Sequence, residues 1–110
     1  MKRVVLKIGT SVLLDEDNEI SFDMMKRFAR QVKAVKDTGL EVIIVSSGAI
    51  ACGMESLGLK KKPKEIEKRQ ALASIGQVRL MKMYTEAFER ERMRVGQVLL
   101  THEDIKSKSR

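Results

Sequence analysis

Two short apolar runs in the sequence each end directly in small and polar residues. Those that follow the first run, residues 4–8, are Gly9, Thr10 and Ser11, and the run itself contains Lys7 next to its last residue. Those that follow the second run, residues 42–45, are Ser46, Ser47 and Gly48. Small residues let another molecule approach the backbone, while hydroxyl and backbone N–H groups donate hydrogen bonds to anionic oxygens. These residue types therefore indicate a site for phosphate or carboxylate.

Lys7 is the one charged residue inside the first apolar run. An ammonium group that is buried without a partner costs several kcal/mol, so its side chain must either reach beyond the strand or meet an anion. We expect it to meet an anion bound at the end of the strand. A lysine on a half-exposed strand face is the alternative.

A helix is expected to join the two runs. Ser21 is suited to capping its start, and Gly39 is suited to following its end. Between them the apolar residues that recur at steps of three and four are Met25, Phe28, Val32 and Val35. Two strands joined by an amphipathic helix predict a βαβ unit, whose parallel strands end at one edge of the sheet. The second run is apolar at four consecutive positions, which predicts a strand buried on both faces.

The second half of the sequence continues the α/β alternation. Ala49 begins a helix directly after the second strand, and a longer helix spans about residues 65–91. The apolar stripe of the longer helix comprises Ile66, Leu72, Ile75, Leu80, Met83, Ala87 and Phe88. Gly76 in its middle costs about 1 kcal/mol relative to alanine, which indicates either close packing or a nearby ligand. Residues 95–100 predict a third strand, and residues 101–104 match a capping box that opens a further helix.

The carboxyl edge of this parallel sheet is where a ligand is expected. It gathers one lysine, two glycine turns, helix N-termini and several hydroxyl groups, including that of Thr101. Such groups suit phosphate, and phosphoryl transfer requires mainly positioning and charge stabilisation. Gly48 and Gly53 have the glycine spacing of a P-loop, but Met54 and Glu55 stand where that motif requires Lys and Ser or Thr. The segment is therefore not a Walker A loop.

The composition narrows the class of protein. With 22 Lys and Arg against 15 Asp and Glu, the formal charge is +7, which is consistent with a nucleotide phosphate or a nucleic acid as partner. An aromatic content of 4% argues against a reader of single-stranded nucleic acid, which stacks bases on aromatic rings. The one cysteine favours a reducing compartment. No signal-peptide pattern and no apolar run of about 20 residues is present, so we expect a soluble cytoplasmic protein without a membrane segment.

Several other residues that invite a functional interpretation have a simpler structural one. The acidic stretch at residues 15–19 is a solvated turn rather than a magnesium site, and no metal ligand is assigned. His102 is a helix-start residue, because no partner base or metal-ligand spacing accompanies it. Cys52 is a packing residue, and residues 57–64 form a basic surface loop.

Four segments together resemble the glutamate 5-kinases of the amino acid kinase family. They are residues 5–11, 45–50, 73–77 and 95–101, in that order along the chain. The resemblance implies an α/β fold, a three-layer αβα sandwich with a mainly parallel sheet. Residues 1–110 would be the amino-terminal part of a single amino acid kinase domain, incomplete in this chain, and would lack a complete active site.

The resemblance also implies an activity: transfer of the γ-phosphoryl group of ATP, with Mg²⁺, to the side-chain carboxylate of L-glutamate. This opens proline biosynthesis, and the enzyme would be a homo-oligomer. Lys7 would be the catalytic residue, stabilising the charge on the transferred group. The site for the nucleotide phosphates would be lined by Lys7, Gly9, Thr10 and Ser11. Glutamate would be held by Ser47, Gly48 and Ala49. Two alternatives stay open: a basic module that binds nucleic acid or an anionic metabolite without catalysis, and an amino acid kinase with another acceptor.

Overall fold

The computed structural model describes residues 2–98, and a parallel βαβ unit forms the first half of them. Strand β1 (Arg3–Ile8) is followed by a single helical turn, α1 (Thr10–Leu13), and by helix α2 (Phe22–Lys36). Strand β2 (Glu41–Ser46) then pairs parallel to β1, with Arg3 opposite Glu41 and Ile8 opposite Ser46. The predicted α/β fold with parallel strands is confirmed.

Helix α2 begins and ends as its sequence predicts. The Ser21 hydroxyl accepts a hydrogen bond from the Met24 backbone N–H at 3.2 Å, which satisfies one of the free donors of the first turn. Gly39 lies just beyond the helix with a φ of +96°, a left-handed conformation that glycine adopts without strain. The side chains that α2 buries are Met25, Phe28, Ala29 and Val32.

Within the described residues, helices cover only one of the two faces of the sheet. Alternate residues of both strands, such as Leu6 and Ile44, pack against the helical core. On the other face Val5 is 60% exposed, Ile43 43% and Val45 51%. The prediction that the second strand is buried on both faces is therefore wrong within residues 2–98. The reason is that the described helices pack on the same side of the sheet, so the apolar residues of the opposite face have no layer above them there.

The second half of the described chain is a helix pair. Helix α3 (Ala49–Leu57) packs along helix α4 (Ile66–Glu89). The residues that α4 buries follow a row at steps of three and four, namely Leu72, Gly76, Leu80, Tyr84, Ala87 and Phe88. Two members of the predicted stripe are wrong: Ile66 is 60% exposed and Ile75 43%. Ile75 is one residue away from the buried row, about 100° around the helix axis.

The two helices meet at glycines. An alanine Cβ at Gly76 would lie 2.8 Å from the carbonyl carbon of Ala49, and one at Gly53 would lie 2.8 Å from the carbonyl carbon of Leu72. Carbon atoms in ordinary contact are about 3.5–4.0 Å apart, so only glycine lets the two backbones approach this closely. The sequence left two roles open for Gly76, close packing or contact with a ligand. The structure assigns it the role in close packing.

The predicted third strand is not present in the part of it that the structure describes. Residues 95–98 form no strand, since a strand requires a hydrogen-bonded neighbour and their backbone pairs with neither β1 nor β2. Val95 packs against the core instead, whereas Val98 is 79% exposed. Residues 99–110, with Thr101, His102 and the predicted capping box, lie outside the described range. Within residues 2–98, no helix is long and apolar enough to cross a membrane.

Candidate phosphate and carboxylate site

The parallel pairing of the strands brings the two predicted loops to one edge of the sheet. Ile8, the last residue of β1, lies opposite Ser46, the last residue of β2. One residue further on, the Ser47 backbone N–H donates to the Ile8 carbonyl at 2.9 Å, so the pairing continues into the loop. The segment that starts at Gly9 and the segment that starts at Ser47 therefore leave the sheet side by side, as the sequence predicts.

Lys7 lies opposite Val45, on the sheet face that no described element covers. Its side chain is exposed, and no carboxylate among residues 2–98 lies within 4.0 Å of its Nζ. Within residues 2–98 the alternative of a lysine on an exposed strand face therefore holds, and burial does not force Lys7 to meet an anion there, because exposure removes the desolvation cost. What remains is an ammonium group near the end of the strand that has no ion pair with any residue of the described range 2–98.

The first loop leaves space beside its glycine. Gly9 has an extended backbone (φ −76°, ψ 159°) and precedes the single turn α1, where its carbonyl accepts from the Val12 N–H at 3.2 Å. A Cβ at Gly9 would meet no heavy atom within 4 Å. Thr10 is half-buried and Ser11 is exposed. The space above this backbone is thus open to a ligand, and neither φ nor packing within the described chain requires glycine here.

The second loop leads into a helix N-terminus. Gly48 is buried, with a φ of +117°, and a Cβ there would contact the side chains of Leu80, Ile20 and Leu13 at 3.6–3.8 Å. The first hydrogen bond of α3 runs from the Cys52 N–H to the Gly48 carbonyl at 3.0 Å. The N–H groups of residues 49–51 precede it and have no acceptor within the helix. Together with the helix dipole, these donors favour an anion beside the exposed Ser47.

Tyr84 is a member of this site that the sequence did not reveal. Its hydroxyl lies 2.5 Å from the Ser46 Oγ, and the Ser46 hydroxyl in turn donates to the Ser47 carbonyl at 2.8 Å. Tyr84 is 4% exposed, and this burial raises the pKa of its phenol. The available signal was the only tyrosine of the chain within the apolar row of α4, because a buried tyrosine hydroxyl usually has a hydrogen-bond partner.

Glu55 fixes the position of α3 from its other end. Its Oε1 accepts from the Ile20 backbone N–H at 2.6 Å, and its Oε2 lies 3.5 Å from Nη2 of Arg79 on α4. Cys52, one turn before Glu55, is fully buried, and burial together with the Glu55 charge raises the pKa of its thiol to about 11. A protonated thiol in the core is not a nucleophile at neutral pH, which confirms the interpretation of Cys52 as a packing residue.

The acidic stretch forms the exposed turn that the sequence predicts. Residues 15–19 are exposed, and an Asp15 carboxylate oxygen accepts from the backbone N–H groups of Asp17 at 2.9 Å and Glu19 at 3.0 Å. This is the local hydrogen bonding that favours Asp in turns. The carboxylate of Asp15 thus serves its own turn, whose ends are joined by the bridge between Leu14 and Ile20.

Comparison with known proteins identifies the family of the chain. The sequence profile described as the amino acid kinase family matches residues 2–110, nearly the whole length. The chain belongs to the amino acid kinase family. This confirms the resemblance noted in the sequence, and the α/β arrangement with a parallel sheet agrees with it.

Three relatives of this chain, all named as glutamate 5-kinases, are longer proteins than the chain itself. It is 50% identical over 109 residues to a glutamate 5-kinase of Thermus thermophilus, a match that covers 99% of the chain and 29% of the relative. It is 43% identical to the glutamate 5-kinase of Pelobacter propionicus, over 100% of the chain and 30% of that relative. The glutamate 5-kinase of Cupriavidus metallidurans is also 43% identical, over 99% of the chain and 29% of its own length. The chain thus spans about three-tenths of the length of the curated relatives it matches.

Proposed function

We propose that this chain is part of a kinase that transfers the γ-phosphoryl group of ATP to the side-chain carboxylate of L-glutamate, forming L-glutamate 5-phosphate. The observation that carries the proposal is that two loops with groups suited to an anion leave the sheet side by side at one edge, in a chain of this family. The three relatives compared above, each matched over 99% or more of the chain, are glutamate 5-kinases. The product would enter proline biosynthesis, and we propose a homo-oligomer in the cytoplasm.

The first loop would hold the nucleotide phosphates. Three features of the described chain fit the chemistry of phosphate oxygens. They are the open space beside the Gly9 backbone, the ammonium group of Lys7, which forms no ion pair within residues 2–98, and the hydroxyls of Thr10 and Ser11. Lys7 would stabilise the negative charge on the group in transfer, as a fixed cation does in phosphoryl transfer. These residues carry no carboxylate, so a Mg²⁺ ion would be held by the ATP phosphates; when bound, it neutralises part of their charge.

The second loop would hold the acceptor. The exposed hydroxyl of Ser47 and the backbone N–H groups of Gly48 and Ala49 are donors suited to a carboxylate. The left-handed conformation of Gly48 aims this backbone, and the start of α3 adds its dipole. These groups bind and orient glutamate. They offer no base, and a carboxylate acceptor requires none, because it is already ionised at neutral pH.

The decisive assay traps the acyl phosphate with hydroxylamine, in the presence of ATP, Mg²⁺ and L-glutamate. It is run on residues 1–110 and on a chimera in which the remainder of the Thermus thermophilus relative follows Arg110. We expect glutamate-dependent hydroxamate from the chimera and none from residues 1–110 alone. Aspartate as the acceptor tests the alternative kinase. Nucleic-acid binding that falls steeply with salt, combined with no hydroxamate from the chimera, would support the non-catalytic module.

Lys7→Ala in the chimera tests the catalytic role. Removing one group that stabilises transition-state charge typically lowers kcat by about 10²–10³-fold, and we expect a loss of that size. Lys36→Ala is the matched control, because Lys36 is also exposed but ends α2, at the opposite edge of the βαβ unit. Equal activity of the two variants would refute the role of Lys7.

Gly9→Ala tests whether a phosphate lies against the first loop. The backbone conformation suits any residue and the added methyl group meets no protein atom within 4 Å, so the free energy of unfolding should stay within about 0.5 kcal/mol of the parent value. A bound phosphate in that space would meet the methyl group, and the KM for ATP should rise while the KM for glutamate stays nearly constant. An unchanged KM for ATP would contradict the placement of the phosphates beside Gly9.

A further inference from the structure

A series of hydrogen bonds connects Tyr84, in the C-terminal part of α4, to the second loop. The Tyr84 hydroxyl contacts the Ser46 Oγ at 2.5 Å, and the Ser46 hydroxyl donates to the Ser47 carbonyl at 2.8 Å. A serine hydroxyl has one proton. Since that proton is directed to the Ser47 carbonyl, the Tyr84 hydroxyl must be the donor to Ser46. The order of donation is therefore tyrosine to serine to backbone carbonyl.

The Ser47 carbonyl is the last acceptor in this series of hydrogen bonds. Its orientation determines where the Gly48 N–H points, and this N–H is one of the groups proposed to donate to the substrate. The Ser47 carbonyl and the Gly48 N–H belong to the same planar peptide group, in which the C=O and N–H bonds point in opposite directions. Holding the carbonyl towards Ser46 therefore turns the Gly48 N–H away from it. Gly48 itself has a φ of +117°, so this peptide joins a strand to a left-handed residue. Glycine has many alternative conformations, and an external constraint on the peptide selects one of them.

Tyr84 is fixed firmly enough to impose such a constraint. Its ring is 4% exposed and packs edge-on against Phe88, with the ring centroids 5.9 Å apart. The helix that carries it is itself held against the start of α3, because Gly76 lies in backbone contact with Ala49. The hydroxyl thus projects from a packed helix and contacts Ser46, the last residue of β2, directly before the loop.

We propose that Tyr84 is a positioning residue, which acts through Ser46 to hold the Ser47–Gly48 peptide in the orientation that binds the carboxylate substrate. This rests on the proposed function of Ser47 and Gly48 as the glutamate-binding loop. Tyr84 touches no reacting atom. It determines how well the loop is prepared before the substrate arrives, and preorganised donors bind more tightly because they need no ordering on binding.

The kinetic test uses Tyr84→Phe in the chimera that carries the rest of the Thermus thermophilus relative. The substitution keeps the ring and removes only the hydroxyl. Loss of one hydrogen bond of ordinary strength corresponds to about a fivefold change in an equilibrium, so the KM for glutamate should rise by about that factor. The KM for ATP and kcat should stay within about twofold, since neither depends on this loop in the proposal.

Two further variants separate positioning from general damage. Thr85→Val is the matched control: it removes the hydrogen bond from the Thr85 hydroxyl to the Met81 carbonyl, on the same helix and one residue away. It should leave the KM for glutamate unchanged. Ser46→Ala should reproduce the effect of Tyr84→Phe, and the double variant should be no worse than either single one, because both break the same chain. Additive effects, or equal changes in Tyr84→Phe and Thr85→Val, would overturn the proposal.

A structural readout keeps the proposal testable apart from catalysis. In ¹H–¹⁵N spectra of residues 1–110, the Gly48 amide signal should shift or split in Tyr84→Phe and stay in place in Thr85→Val. If the unsubstituted chimera forms no glutamyl hydroxamate, the proposed function has failed, and the Gly48 signal alone judges the positioning: an unmoved signal refutes it. If the chimera is active and the KM for glutamate is unaffected by Tyr84→Phe, the positioning role is refuted while the proposed function stands.

Discussion

Replacing Gly76 with alanine would test how closely α3 and α4 must approach. Gly76 lies where α4 crosses the first turns of α3, and an added Cβ would be 2.8 Å from the carbonyl carbon of Ala49 and 2.5 Å from the nitrogen of Gly53. Both are backbone atoms inside a helix. Neither can rotate away as a side-chain end does, so the two helices themselves would have to separate.

The cost follows from the distances. Carbon atoms in contact are about 3.5–4.0 Å apart, and the added Cβ would lie closer to the carbonyl oxygen of Ala49 than to its carbonyl carbon, so the helices must move apart by more than about 1 Å at this crossing. Overpacking of a tight contact typically costs about 1–3 kcal/mol, and a backbone clash on both sides favours the upper end. The better helix propensity of alanine returns about 1 kcal/mol. We expect a net loss of about 2 kcal/mol, a substantial part of the roughly 5–15 kcal/mol that usually stabilises a domain.

Urea denaturation of residues 1–110, followed by circular dichroism, measures this loss. Gly96→Ala is the matched control, because a Cβ there would meet no atom of residues 2–98 within 4 Å. The control should lie within about 0.5 kcal/mol of the parent chain. If Gly76→Ala also lies within that margin, the close approach of the helices carries no stability, and the reasoning from the glycine contacts is wrong.

Two further predictions concern a buried thiol of α3 and the N-cap of α2. In the folded chain the pKa of Cys52 is raised from 9.0 to about 11, so the unfolded thiol ionises first and the free energy of unfolding should fall as the pH rises from 9 towards 11. Urea midpoints at pH 8 and 10.5 should therefore differ less for Cys52→Ala than for the parent, and an equal difference would contradict the shift. Ser21→Ala removes the N-cap hydrogen bond to the Met24 N–H and should cost about 1 kcal/mol in the same titration at pH 7, whereas no loss would show that water replaces the cap.

The local parts of this fold were predictable because their causes are local. Ser21 precedes a helix whose apolar residues recur at helical spacing, and its side chain caps that helix in the structure. Gly48 follows a strand and adopts the left-handed conformation that its type permits. Parallel pairing of β1 and β2 follows from a helical connection between two strands, and it alone suffices to bring Gly9 and Ser47 to one edge.

What was not predictable depends on residues far apart in the sequence. Lys7 and Val45 lie on a sheet face whose exposure is decided by where the helices pack, and a run of apolar residues contains no information about that. Residues 95–98 have the composition of a strand, yet a strand exists only beside a partner. The contact of Tyr84 with Ser46 joins residues 38 apart in the chain. A spacing pattern identifies which residues of a helix are buried. It does not identify the hydrogen-bond partner of a buried residue, here the Ser46 hydroxyl that Tyr84 contacts.

The support of the candidate site comes from α4 rather than from the strands that deliver its loops. Strand pairing ends at the Ser47 N–H, and beyond that point the second loop depends on contacts with this helix. Tyr84 contacts the loop through Ser46, the Leu80 side chain lies beside Gly48, and Gly76 meets the backbone of Ala49. These three residues are one turn apart on the same face of α4. Because one rigid helix touches the loop before, at and after its left-handed residue, a shift of α4 would move all three contacts together. Gly76→Ala should therefore shift the Gly48 amide signal as well as lower stability, whereas a destabilised variant with an unmoved Gly48 signal would show that the strands alone hold the loop.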